Sequence, residues 1–254
     1  MRLEGKIAVV TGAGSGMGRA MVGLFAAEGA KIVAADWNAD TLAEVVAEVT
    51  AAGGSITGVQ GDVAQEADCA KIINTAVQSY GRLDVLCNNA GVMDTNQGVA
   101  ELTDEMWQRV IGINLNGPMY LSRLAVPIMV GQGGGSIVNT SSLAGLGGGI
   151  TGAAYTVSKH ALIGLTRSTA FIYTKDGVRC NAIAPGAVET NIKLSIDTTK
   201  MDAKASARFQ GCYAAIPAVL KAMDIAQLAL FLASDESKMI NGTIIPADGG
   251  WSAA

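Results

Sequence analysis

The feature that most constrains this chain is an apolar strand-like run that passes through a glycine-rich turn into a helical pattern. The run is Lys6–Val10, and the turn is Thr11-Gly12-Ala13-Gly14-Ser15-Gly16-Met17-Gly18. Met17, Ala20, Met21, Leu24 and Phe25 then recur at helical spacing until Gly29 ends the helix. The alternation continues. Lys31–Ala35 reads as a strand, Asn38 caps a helix to about Ala52, and Ile56–Gln60 is the next strand. Helix Gln65–Tyr80 and strand Leu83–Cys87 follow. Thr103 caps a long helical region to about Met129, which Gly117 and Pro118 interrupt or bend. Ser136–Asn139 is a fifth strand, and a glycine-rich loop over Gly145–Gly152 leads into a helix at Ala153–Tyr173. Strand Val178–Ala184 stops at Pro185-Gly186, and helix Ile225–Ala233 and strand Met239–Pro246 close the pattern. Residues Ile192–Leu220 are polar and rich in Met, Lys and Ala, which predicts a mobile helical flap.

Repeated βαβ units predict an α/β protein: a parallel sheet with helices on both faces and right-handed crossovers. No composition break divides the chain, so one domain is expected over 1–254, with the substrate flap at 191–217. Half the residues are hydrophobic and 16% are charged, against a typical ~25%, which excludes a disordered chain. A net charge of −4 argues against nucleic acid as a partner. No apolar run reaches the ~18 residues of a membrane span, and the N-terminus lacks a signal-peptide core, so no membrane partner is expected. Cys69, Cys87, Cys180 and Cys212 are scattered, as reduced cysteines of a cytoplasmic protein would be. A single histidine and no Cys/His cluster predict no metal site.

The glycines of the turn permit positive φ and close backbone approach. The helix behind them points free N–H groups and its positive dipole end at the turn, a geometry that suits a pyrophosphate. The spacing is TGxxxGxG rather than GxGxxG, because Met17 stands where the last glycine of the latter would be. Asp36 ends the second strand, 18 residues after Gly18, where a carboxylate can accept from ribose hydroxyls and repel a 2′-phosphate. No Lys or Arg lies between Ala34 and Asp40, and Ser15 rather than a base precedes Gly16, so NAD is the expected cofactor.

Tyr155 and Lys159 are one helical turn apart and project from one face. An unperturbed phenol, with a pKa of about 10, is a poor base at neutral pH, and a nearby ammonium favours phenolate. Such a tyrosine can exchange a proton with an alcohol or carbonyl oxygen while hydride moves to or from nicotinamide. Ser141-Ser142 follow the fifth strand, at the carboxyl ends where ligands sit in such sheets. His160 is one residue, about 100°, away from Lys159 and should lie off that face.

Thr11–Gly18, Asp62-Val63, Asn88-Asn89-Ala90-Gly91, Asn114, Ser142, Tyr155, Lys159 and Pro185-Gly186 occur in this order. Together they resemble the short-chain dehydrogenase/reductase family in its single-domain form, over essentially the whole chain to Asp248-Gly249-Gly250. The resemblance implies a Rossmann-type, doubly wound, seven-stranded parallel sheet of order 3-2-1-4-5-6-7. It implies that Tyr155 is the general acid/base and that Lys159 binds the nicotinamide ribose and lowers the Tyr155 pKa. Ser142, rather than Ser141, would orient the substrate, and Asn114 would hold a water that links Lys159 to solvent. Gly12, Ser15, Gly16, Met17 and Gly18 would line the pyrophosphate turn, with Met17 where the family often has isoleucine. Asp62 and Val63 would meet the adenine, and Asn89, Ala90 and Gly91 would pass behind the adenosine ribose. Pro185, Gly186, Val188 and Thr190 would flank the nicotinamide. A homotetramer is implied, with helices around Trp107–Met129 and Tyr155–Tyr173 pairing between subunits.

The function expected is therefore an NAD(H)-dependent alcohol dehydrogenase or ketoreductase, acting on a small-molecule secondary alcohol or ketone. A 3-oxoacyl-(acyl-carrier-protein) reductase is the enzymatic rival. Asp36 weighs against it, and Arg19 and Arg123 alone do not make a cationic patch for an acidic carrier. A catalytically silent NAD-binding sensor is the rival of another class, and it has no chemical need for Asn114, Ser142, Tyr155 and Lys159 together.

Overall fold

Every residue of β1 (Ile7–Thr11), sequence IAVVT, is buried, as a strand covered on both faces must be. A computed structural model describes residues 1–253; Ala254, the last residue of the expected domain, lies outside them. In chain order the principal elements are α1 (Gly16–Ala27), β2 (Lys31–Asp36), α2 (Ala39–Ala51), β3 (Ser55–Gln60), α3 (Glu66–Tyr80) and β4 (Val85–Asn88). Then come α4 (Asp104–Ile111), α5 (Gly117–Gly131), β5 (Gly135–Thr140), α6 (Ala153–Tyr173), β6 (Val178–Pro185) and β7 (Val188–Glu189). The chain ends through α7 (Ala203–Ala214), β8 (Leu220–Lys221), α8 (Ala222–Ala233) and β9 (Ile244–Ala247).

Seven strands form one parallel sheet in the order β3-β2-β1-β4-β5-β6-β9. This is the expected 3-2-1-4-5-6-7 order, because β7 and β8 pair only with each other in a separate ribbon. One apolar core, with Met21, Phe25, Leu42 and Leu230, packs α1, α2 and α8 on one face. A second, with Ile72, Ile73, Leu121 and Met129, packs α3 and α5 on the other. The order reverses between β1 and β4, so a crevice opens at their carboxyl ends, where such sheets take ligands.

Three local differences from the sequence expectations have physical causes. The helical region after Thr103 is broken not at Gly117-Pro118 but just before it, by a π turn over Gly112–Asn116. Pro118 has no N–H for the carbonyl of Asn114 and its ring crowds that carbonyl, so the chain widens and the Gly117 N–H reaches back to Gly112 O. The last strand begins at Ile244 rather than Met239, because Gly242 takes φ +75° in a turn that leaves Met239 exposed. The expected helical flap is a pair of short 3₁₀ turns, Asn191–Ser195 and Thr198–Lys200, followed by α7, and none of the three buries a residue.

Cys69, Cys87 and Cys180 are buried, and burial pushes each thiol up to about 12, which leaves them unreactive. Among the described residues no helix is long and apolar enough to cross a membrane.

Candidate active site

The turn between β1 and α1 is built on close backbone approach. A Cβ on Gly18 would lie 2.0 Å from the Gly12 carbonyl oxygen, and one on Gly14 2.4 Å from Thr41 Oγ1. Gly12 and Gly16 have φ of +65° and +51°. Ser15 is the N-cap of α1 but makes no side-chain cap bond, and no acidic residue occupies the first turn. The free N–H groups of Gly16, Met17 and Gly18 therefore face the crevice bare, as a pyrophosphate cradle requires. Thr11 anchors this turn to the strand beside it: its hydroxyl accepts from the N–H of Asn89 (3.0 Å) and of Ala90 (3.1 Å). Asn89 Nδ2 in turn donates to the Thr11 carbonyl at 2.9 Å.

Asp36 closes the far side of the turn. It is 9% exposed, and its carboxylate accepts from Gly14 N–H (2.8 Å) and Asn38 N–H (2.9 Å). Each oxygen retains a lone pair for a ribose hydroxyl. Arg19, the nearby cation of α1, is held by Glu44 and Glu48 of α2. Asp62 folds on itself, Oδ1 accepting from Ala64 N–H, while Val63 is buried against Gly117. On the other side, Thr190 side-chain atoms lie 3.1 Å from where a Gly16 Cβ would be, so the loop after β6 meets the first turn. Gly186 is required there, since its Cβ would come within 2.7 Å of Asp248 Cβ. Pro185 ends β6, and Val188 begins the ribbon that follows. These features fit a dinucleotide laid across the crevice.

The first turns of α6 carry Tyr155 and Lys159, and both are buried, at 6% and 3% exposure. Lys159 Nζ lies 5.5 Å from the Tyr155 ring centroid and donates to the Thr140 carbonyl at the end of β5 (2.9 Å). Ser141 is turned inward, donating to the Lys159 carbonyl (3.0 Å), so the hydroxyl beside the Tyr155 phenol is that of Ser142. Asn114 occupies the π turn and is fully buried. Its side chain accepts from Val92 N–H and donates to Val92 O, both at 2.9 Å, and to Ser158 Oγ at 3.2 Å. A Cβ on Gly91 would lie 3.3 Å from Asn114 Oδ1 and 3.5 Å from Lys159 Nζ, which puts all three side by side. His160 points elsewhere, to the Thr156 carbonyl.

Burial dominates the titration of the pair. It pushes the Tyr155 phenol up to about 12, partly offset by a hydrogen bond with Ser142 and reinforced by the charge of Asp94. It pulls the Lys159 ammonium down to about 8. In the protein alone, removal from water therefore sets the direction of both shifts, upward for the phenol and downward for the ammonium.

Two contributors escaped the sequence. Thr11 was only part of a motif string, yet its hydroxyl joins the two halves of the crevice. Asp94 accepts from the Tyr155 N–H (2.9 Å) across 61 residues, and no local pattern announces so distant a pairing.

A family model described as enoyl-(acyl carrier protein) reductase matches residues 12–252. A 3beta-hydroxysteroid dehydrogenase 2 of Eggerthella lenta is 41% identical over 252 residues, 99% of this chain and 96% of that protein. The crystal structure of a levodione reductase superimposes with a TM-score of 0.90 and 33% identity, covering 100% of both chains. A structure from Beutenbergia cavernae, described provisionally as an NAD(P)-dependent gluconate 5-dehydrogenase with NADP at low occupancy, gives a TM-score of 0.87. It is 36% identical and covers 99% of this chain and 98% of its own.

Proposed function

The chain belongs to the short-chain dehydrogenase/reductase family, and from that premise we propose that it is an NAD(H)-dependent oxidoreductase interconverting a secondary alcohol and its ketone. The observation that carries this reading is that the bare turn and Asp36, at the carboxyl ends of β1 and β2, lie on the same edge of the sheet as the Tyr155–Lys159 pair, which is tied to the carboxyl end of β5. When bound, the nicotinamide accepts or supplies the hydride.

The chain's own groups handle the rest. Tyr155 holds the substrate oxygen through its hydroxyl and takes or gives the proton there. Ser142 donates to the same oxygen and steadies charge as it develops. Lys159 is fixed by the Thr140 carbonyl, and Thr140 itself ends β5, an interior strand of the sheet, so the ammonium is held on a rigid element. Pro118 denies the Asn114 carbonyl its helical partner, which frees that carbonyl for a water on the path from Lys159 to solvent. Asp36 favours NAD: a 2′-phosphate would meet a carboxylate, with Arg19 already held by two glutamates. Arg19 and Arg123 are each ion-paired, with Glu48 and with Glu66, which weakens both as contacts for an acidic acyl carrier protein.

A homotetramer is part of the proposal. Val157, Phe171 and Ile172 of α6 are apolar and 43%, 84% and 59% exposed, which favours pairing through this helix. Light scattering of the purified protein tests it, and a monomer at micromolar concentration contradicts it.

The reaction is tested by following NADH with a panel of secondary alcohols, led by a 3β-hydroxysteroid, and by reduction of levodione. Oxidation needs the phenol deprotonated, and burial holds it protonated, so oxidation should quicken as pH rises from 7 to 10. Reduction should stay level over that range. Binding of NAD with silence across the panel would favour a sensor instead.

A further inference from the structure

Asp94 is a buried carboxylate that the proposed chemistry does not use. It is 1% exposed and has no lysine or arginine at ion-pair distance among the described residues. A charge so placed is costly unless hydrogen bonds satisfy it. Its partners are backbone N–H groups: Oδ1 accepts from Asn96 and from Gly152, each at 3.1 Å, and Oδ2 from Tyr155 at 2.9 Å.

Two of these donors belong to the start of α6. Gly152 is the N-cap and has no side chain with which to cap. The carboxylate reaches in from 58 residues away and takes that role, while the Gln97 carbonyl takes the Ala153 N–H at 2.9 Å. Only glycine fits at 152, because a Cβ would lie 2.5 Å from Asp94 Oδ2. The loop that delivers the cap is strained. Asn96 is the one non-glycine residue with positive φ, +61°, among those described.

The same loop grips the flap. Thr95 O accepts from the N–H of Asp202, the N-cap of α7, at 3.0 Å, and Asn96 Nδ2 donates to Ser206 Oγ of α7 at 3.1 Å. Loop 94–97 therefore holds the start of the catalytic helix with one side and the flap helix with the other.

We propose that Asp94 is a positioning residue: it fixes the first turn of α6, and with it the place of the Tyr155 hydroxyl, and it registers that turn against the flap. The proposal rests on Tyr155 being the acid/base. A second consequence follows from charge, since Asp94 adds to burial in keeping the phenol protonated. The other ionisable groups around the pair are Lys159 on the same helix, Tyr213 of α7, and Arg109 of α4, which donates to the Met93 carbonyl.

The test uses Asp94→Ala and Asp94→Asn in the full chain, with two readouts. Amide hydrogen exchange over residues 152–156 reports the cap without any substrate. In Asp94→Ala, exchange there should quicken about tenfold or more, and kcat for 3β-hydroxysteroid oxidation should fall about 10- to 100-fold with KM for NAD little changed. Asp94→Asn keeps one acceptor and should recover part of both. It should also move the acid limb of the oxidation profile to lower pH by about half a unit, because a negative charge beside the phenol is gone. Unchanged exchange in Asp94→Ala overturns the proposal, as does equal loss of kcat in both variants with no pH shift. If Asp94→Ala does not fold, the pH shift in Asp94→Asn decides. If the unsubstituted protein oxidises nothing, the proposed reaction fails, and the exchange result still decides whether Asp94 holds α6.

Discussion

The turn at 11–18 and the flap at 191–217 face the same crevice and are built on opposite principles. The turn is fixed by exclusion: glycines at 14 and 18 leave no room for a side chain, and Thr11 and Asp36 bolt its backbone to the neighbouring loops. The flap buries no residue within its 3₁₀ turns or α7, and isolated bonds hold it: Ser195 to Met93, Arg109 to Ser195, Ser206 to Asn96 and Tyr213 to Ile150. On the function proposed above, the turn takes the cofactor, which needs one geometry, and the flap forms the substrate surface, which gains from adjustment. The difference teaches that rigidity is placed where the ligand is invariant.

Substitutions sharpen this contrast in descending order of effect. Tyr155→Phe, at the junction of the two regions, should lower kcat about a thousandfold and leave NAD affinity within about twofold. Loss of NAD affinity in its place would move Tyr155 from chemistry to binding. Gly18→Ala should cost about 2–3 kcal/mol in chemical denaturation and weaken NAD binding, because its methyl meets the Gly12 carbonyl. An unaffected midpoint would show that the turn is looser than its contacts imply. Asp36→Ala should reduce the kcat/KM preference for NAD over NADP about tenfold, as expected for a hydrogen bond to a charged group. An unchanged ratio would remove Asp36 from the ribose site. Tyr213→Phe deletes only the 2.7 Å bond to the Ile150 carbonyl. It should raise substrate KM about two- to threefold with no change in melting temperature. A large drop in melting temperature would make the flap as structural as the turn.

What was legible in the sequence follows the same division. Strand and helix positions were readable because the sheet is buried on both faces and its helices carry periodic apolar stripes; Asn38 and Thr103 cap the helices they were expected to cap. The π turn at Gly112–Asn116 was visible only as a proline, since its form depends on how the widened backbone packs. In the site, Tyr155, Lys159, Ser142 and Asn114 announced themselves through spacing and family resemblance, and the fold brings them together. Asp94 did not, because its partners lie 58 and 61 residues away. The net position of the Tyr155 pKa was not legible for a related reason. Spacing shows that an ammonium is near, but not how completely both groups are removed from water.

The most direct measurement is a crystal structure of the protein with NAD bound. The pyrophosphate should lie on the N–H groups of Gly16–Gly18, the adenosine ribose on Asp36, and the nicotinamide within reach of the Tyr155 hydroxyl and Lys159. A dinucleotide seated outside this crevice, or a nicotinamide turned away from Tyr155, would contradict the account.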